Sequence, residues 1–206
     1  MRTAKKIWIL SGEASGDVYG AKLARELRLI AAERGETIEI AGMGGPEMRK
    51  ADIDIRVDST ELGVVGVIEV LKHIFTFIGI FFRLVGQAKR ERPGAVVLID
   101  YPGFNLLFAL MMYRHRIPVI WYVCPHLWVW GKWRLPVLAK ICTKMLVIFP
   151  FETEVFAHTK LRTEFVGHPL IDIVADRRIP GVERNPEDFL LLPGSRTMEI
   201  NFLLYP

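Results

Sequence analysis

KIWILSGEASGDVYGAKLARELRLIAAE, residues 6–33, decides the fold. Residues 6–10 form a short apolar run that reads as a buried strand. The loop SGEASGD follows, with Gly12 and Gly16. From residue 18 to residue 33, Ala21, Leu27 and Ala31 fall at helical spacing. A strand that turns through a glycine loop into a helix is the building unit of a parallel sheet. The unit recurs: residues 37–41 enter GMGGPEM, and the strongly apolar residues 95–99 enter DYPGFN and then a helical stretch at 106–113. Further strands are expected at 119–123, 145–149 and 163–166. Strands this apolar, alternating with helices, predict an α/β, Rossmann-like parallel sheet with helices on both faces. Such a sheet places its ligands at the carboxyl ends of the strands, so the loops after the strands carry the chemistry.

After Pro169 the composition turns charged and proline-containing, and residues 171–188 read as a linker. Residues 189–192 open another strand into PGSR, and two turns of helix follow at most, too little to fold alone. The expected organisation is a domain over 1–170, a linker over 171–188 and the truncated start of a second domain over 189–206. An apolar share of 51% excludes a disordered chain. The net charge of +4 comes from scattered cations, which suits anionic headgroups or phosphate-bearing ligands at least as well as nucleic acid. Cys124 and Cys142 lie in apolar segments without CxxC pairing or histidines at ligand spacing, so they read as reduced core residues of a cytoplasmic protein, and no metal site is expected. The opening residues MRTAKKIWIL lack the pattern of an export signal.

The glycines of SGEASGD allow backbone amides at a helix start to approach a ligand closely. Equally, Ser15 or Asp17 can act as an ordinary helix cap, and the residues alone leave both readings open. The loop is neither GxGxxG nor a Walker loop, and the second strand ends in Ala41-Gly42, without the acidic residue that holds a nicotinamide ribose. No cofactor is expected. Asp100 ends the most apolar strand, where a partly desolvated carboxylate serves as a base or else caps the next helix with Asn105 nearby.

Trp121, Trp128, Trp130 and Trp133 are interleaved with His126, Lys132 and Arg134 in WYVCPHLWVWGKWR. The pattern fits a membrane interface, sugar stacking or core packing. IEVLKHIFTFIGIFFRLVGQ, residues 68–87, leaves only a narrow polar stripe of Lys72, Thr76, Arg83 and Gln87. Its apolar run is far below the ~20 residues of a spanning helix, so it is either buried or shallowly inserted, with Phe75, Phe77, Phe81 and Phe82 as its aromatic contacts. Gly194, Ser195 and Arg196 precede a helix start in an arrangement suited to a diphosphate, or to a plain β-α turn.

SGEASGD, GMGGPEM, ELGVVGVIEVL, LIDYPGFN, YVCPHLWVWGKWR, VIFPFE, FVGHPL and LLPGSR occur in an order that resembles the lipid-A-disaccharide synthase family, over residues 7–200. The resemblance implies a two-domain GT-B architecture of which this chain is the N-terminal, acceptor-side half. It implies transfer from UDP-2,3-diacylglucosamine to 2,3-diacylglucosamine 1-phosphate with inversion, giving a β-1,6-linked disaccharide and UDP. By the same match Asp100 is the base, while Glu13, Ser15, Asp17 and Asn105 contact sugar, and Ser195 and Arg196 the diphosphate. His168 either faces the cleft or is structural. Gly103 stands where some members carry a second acidic residue, so a two-carboxylate scheme in that loop is excluded. The implied setting is the cytoplasmic face of the inner membrane, peripherally bound, with a homo-oligomer possible in the complete protein and no nucleic acid. A nucleotide-sugar epimerase of the same architecture and a non-catalytic lipid-binding fragment are the rival readings, and the chain alone is expected to be inactive.

Overall fold

The structure is a computed structural model that describes residues 4–59, 67–125 and 132–177, and residues 185, 187, 189, 191 and 200; the side chains of 67–74, 76, 132 and 177 are outside the description. The chain forms two compact units, Met1–Pro169 and Leu170–Pro206.

In the first unit the described strands are β1 (Lys5–Ser11), β2 (Ile38–Gly44), β3 (Asp54–Asp58), β4 (Ala95–Ile99), β5 (Val119–Tyr122), β6 (Lys144–Val147) and β7 (Arg162–Phe165). They make one parallel sheet in the order β3-β2-β1-β4-β5-β6-β7. The helices are α1 (Ala14–Glu33), α2 (Pro46–Lys50), α3 (Val67–Glu91), α4 (Pro102–Arg114), α5 (Leu135–Ile141) and α6 (Glu152–Val155). Right-handed crossovers send helices to opposite faces on the two sides of β1 and β4, and accordingly α1 packs with α2 while α4 packs with both α3 and α5. The strand order reverses between β1 and β4, and the crevice at that reversal, outside the carboxyl ends, is where such sheets bind ligands. A short helix, α7 (Pro169–Arg177), leads into the second unit.

The predicted parallel α/β architecture is the one observed. The central strands are apolar because both faces are covered: Trp8, Ile9 and Leu10 of β1 and Val96 and Leu98 of β4 are fully buried. Among the described residues five elements went unforeseen, β3, α2, α5, α6 and α7, and α7 occupies the start of the stretch read as a linker over 171–188. β3 is an edge strand whose alternate residues Asp54, Arg56 and Asp58 are charged, as sheet edges commonly are, so it lacks the apolar signature of its neighbours. α1 starts at Ala14 rather than at residue 18, which draws Ser15, Gly16 and Asp17 into its first turn. α4 starts at Pro102, where a missing N–H costs nothing and a fixed φ suits the helix, rather than at residue 106. β5 ends one residue early because Val123 turns to φ 66°. Of the strand expected at 189–192, Phe189 and Leu191 are described and are exposed and outside any strand, while 190 and 192 lie outside the described residues.

Candidate functional site

Three strand ends meet at the reversal of strand order. β1 delivers Ser11, Gly12 and Glu13; β4 delivers Asp100 and Tyr101; β5 delivers Tyr122. Asp100 and Tyr101 are both left-handed, at φ 46° and 48°. Val123, at the end of β5, is left-handed as well, a conformation that β-branched residues rarely adopt. Backbone strain of this kind persists where surrounding structure over-determines it, and it collects at functional sites.

Asp100 is half-buried, with its main-chain amide donating to Tyr122 O over 3.2 Å. Tyr19, reaching in from the buried face of α1, stands against it. Burial, and then the negative charge of Asp100, raise the Tyr19 phenol above its ordinary value. The rings of Tyr19 and Tyr122 lie 6.4 Å apart at 51°. Tyr101 is raised too, by burial first and by the Glu13 carboxylate second. Glu13 and Ser15 are exposed at the rim, Glu13 as the N-cap of α1 with no side-chain capping bond. Exposed polar groups at the rim, a half-buried carboxylate and three tyrosines fit a hydroxyl-rich ligand.

The glycines of SGEASGD have an internal use. A Cβ on Gly12 would overlap the ring of Tyr101, and one on Gly16 would overlap Ser11 Oγ, so both allow close packing within the protein. Asp17 is 3% exposed, and its two oxygens accept from the amides of Gly45, Glu47 and Met48. This carboxylate locks the loop before α2. Asn105 is fully buried, and its Nδ2 donates to Asp100 O over 2.7 Å and to Ile99 O over 3.3 Å. Asp17 and Asn105, expected as sugar contacts, are therefore engaged with main chain. Ser195 and Arg196 lie outside the described residues, as do His126, Trp128 and Trp130.

Tyr19 and Tyr122 were missed in the sequence. Tyr19 follows SGEASGD by two residues on the inward face of α1, and Tyr122 is the last residue of a strand, so the carboxyl-end rule carried a usable signal for both. Trp121 is a core residue whose indole donates to Val123 O over 3.1 Å. Trp133 is 70% exposed, with the Arg134 guanidinium 5.0 Å from its ring centroid. His168 meets the Phe149 ring edge-on at 5.5 Å, beyond the ends of β6 and β7.

On α3 the phenylalanines divide. Phe75 and Phe82 are 84% and 60% exposed, with Ile78 exposed between them, so the three form an outward stripe at helical spacing. Phe77 and Phe81 turn inward, and Phe81 packs edge-on against Phe104 and Phe108 at 5.4 and 6.3 Å. Among the described residues no helix is long and apolar enough to cross a membrane.

Comparisons with known proteins bear on the family and the fold. The chain is 39% identical to the lipid-A-disaccharide synthase of Koribacter versatilis, over 97% of this chain and 53% of that protein. It is 40% identical to that of Geobacter sulfurreducens, over 95% of this chain and 50% of that protein. The chain thus spans about half the length of the curated relatives it matches. Among solved structures, a UDP-GlcNAc 2-epimerase from Neisseria meningitidis bound to UDP-GlcNAc superposes with a TM-score of 0.55 at 13% identity, over 82% of this chain and 48% of that one, a likeness of fold. The sequence model described as lipid-A-disaccharide synthetase matches residues 7–206, and the chain belongs to that family.

Proposed function

We propose that this chain is the acceptor-side part of a glycosyltransferase that joins UDP-2,3-diacylglucosamine to 2,3-diacylglucosamine 1-phosphate, releasing UDP. Family membership supports the reaction class, and the position of Asp100 carries the mechanism. Of the site carboxylates, Asp17 is buried against main-chain amides and Glu13 is exposed at the rim. Asp100 is half-buried at the carboxyl end of β4, beside the strand-order reversal, where such sheets bind ligands. In this reading its carboxylate takes the proton from the acceptor 6-hydroxyl as that oxygen attacks the anomeric carbon, and the bond to UDP breaks with inversion. Glu13 and Ser15 hold acceptor hydroxyls. Ser195 and Arg196 hold the donor diphosphate, in a second domain to which α7 leads.

The lipid side of the proposal rests on the outward stripe Phe75, Ile78 and Phe82 and on Trp133 with Arg134 beside it. Aromatic and cationic side chains together suit the headgroup region of a bilayer. An enzyme of a soluble sugar has no use for such a stripe, and this favours a lipid substrate over an epimerase. The site of action proposed is the cytoplasmic face of the inner membrane.

The test joins residues 1–206 to the unmatched half of the Geobacter sulfurreducens relative and measures UDP release from donor and acceptor in mixed micelles. Asp100→Ala is expected to abolish transfer with the fold intact. Residual activity within about tenfold of the parent, a barrier change of only ~1.4 kcal/mol, removes Asp100 from the role of base.

A further inference from the structure

Two consecutive left-handed residues, the second a bulky tyrosine, need something to hold them. At Asp100 and Tyr101 the hold has two sides. From within, Asn105 Nδ2 donates to Asp100 O over 2.7 Å, and the Asn105 amide donates to Tyr101 O over 3.1 Å. From the side, the Tyr101 ring lies over Gly12 so closely that any Cβ there would overlap it. Phe104 stacks against the same ring at 6.0 Å and 29°, and Phe81 buttresses Phe104 edge-on at 5.4 Å. The ring is thus held between the first loop of the chain and an aromatic row reaching α3.

Tyr101 follows Asp100 directly, so the torsions that seat its ring also aim the preceding carboxylate. We propose that Tyr101 is a positioning residue for Asp100, with Gly12 as the seat that fixes its ring. This proposal rests on the reading of Asp100 as the base. It gives SGEASGD a second task besides presenting Glu13 and Ser15: its glycine sets the corner from which the base acts. Residue 12 has to be glycine for a reason of contact, because the ring occupies the space a side chain would need.

The phenol of Tyr19 reports where the Asp100 charge sits, since that charge adds to the effect of burial upon it. Its titration in the 206-residue chain, followed by NMR of ring-labelled tyrosine and assigned with Tyr19→Phe, therefore reads the geometry of the corner and is insensitive to a uniform loss of stability. Asp100→Asn calibrates the contribution of the charge. Gly12→Ala is expected to lower the Tyr19 pKa in the same direction as Asp100→Asn, and to have no further effect in a Tyr101→Gly background, where the ring is gone. A Gly12→Ala chain that titrates like the parent overturns the proposal. So does a Gly12→Ala shift that is the same with and without the ring, or an Asp100→Asn that leaves Tyr19 unmoved.

Should Gly12→Ala fail to fold, Tyr101→Gly alone decides the matter, because glycine is at ease at positive φ. Amide exchange at Asn105 is expected to quicken at least tenfold while Met145 in β6 is unchanged, and unaltered exchange at Asn105 refutes the seat. Binding of 2,3-diacylglucosamine 1-phosphate in mixed micelles by the parent chain is measured alongside. Its absence would sink the functional reading while the Tyr19 and exchange results still decide the corner.

Discussion

The amide of Gly45 donates to Asp17 Oδ1 over 2.7 Å, and a Cβ built on Gly45 would lie 2.7 Å from Asp17 Oδ2. The first turn of α1 thereby clasps the start of α2, with Glu47 and Met48 donating to the same carboxylate at 2.8 and 3.0 Å. Charge-assisted bonds to a carboxylate this buried are expensive to lose, because the orphaned amides have no water to turn to. Asp17→Ala is expected to lower the unfolding free energy by about 3 kcal/mol in urea titration. A loss under about 1 kcal/mol would mean that water replaces the carboxylate and that Asp17 is available to a ligand after all.

The two thiols make stability fall at alkaline pH. Burial pushes Cys142 from an ordinary 9.0 up to about 12, and it pushes Cys124 higher still, with the Glu152 charge adding to the effect. The folded chain thus keeps protons that the unfolded chain gives up above pH 9, so the stabilisation is complete below pH 9 and declines as the pH rises toward 12. Urea midpoints measured across this window should drop, and Cys142→Ala should flatten the drop relative to the parent. An unchanged slope in that variant would place Cys142 in contact with water.

How legible this was depended on burial. β1, β4, β5 and β6 could be read because they are covered on both faces and carry unbroken apolar runs, while β3 could not, since an edge strand shows charges instead. The left-handed pair Asp100 and Tyr101 left no sign, for neither is a glycine and the bonds that hold it come from Asn105. The glycines of SGEASGD were visible, but their use was not: Tyr101 fills the space over Gly12, and it is 89 residues away in the chain. Asp17 was read as a choice between cap and ligand contact, and the cap it forms belongs to a different helix, a partnership that only the fold creates.

Glu152 plays for the loop after β6 the part that Asp17 plays for the loop after β2. It is 1% exposed, and its Oε2 accepts from Ile148 and Phe149 amides at 3.1 and 2.9 Å. This fixes Phe149, whose ring stacks on Phe151 at 5.7 Å and meets His168. Glu152→Ala is expected to cost about 2–3 kcal/mol and to speed amide exchange at Ile148 and Phe149 first. Uniform exchange changes across the sheet, with no excess at these two amides, would contradict a local role.

The division of the α3 phenylalanines gives the lipid reading its sharpest test. Phe75 and Phe82 are outward, Phe82 keeping one edge-on contact with Phe81, so replacing both with Ser should cost no more than about 1 kcal/mol of stability while removing apolar surface from any membrane contact. Binding to vesicles containing anionic lipid should fall at least tenfold, a change of ~1.4 kcal/mol that two buried phenyl rings readily supply. Phe81→Ser must behave in the opposite way. Phe81 packs against Phe82, Phe104 and Phe108 and lies behind the ring of Tyr101, so its loss should cost about 3 kcal/mol of stability. Two neighbouring residues on one helix thus separate surface binding from folding. If Phe75→Ser with Phe82→Ser leaves vesicle binding unchanged, the stripe does not meet lipid. If Phe81→Ser weakens binding without loss of stability, the inward and outward faces of α3 have been exchanged.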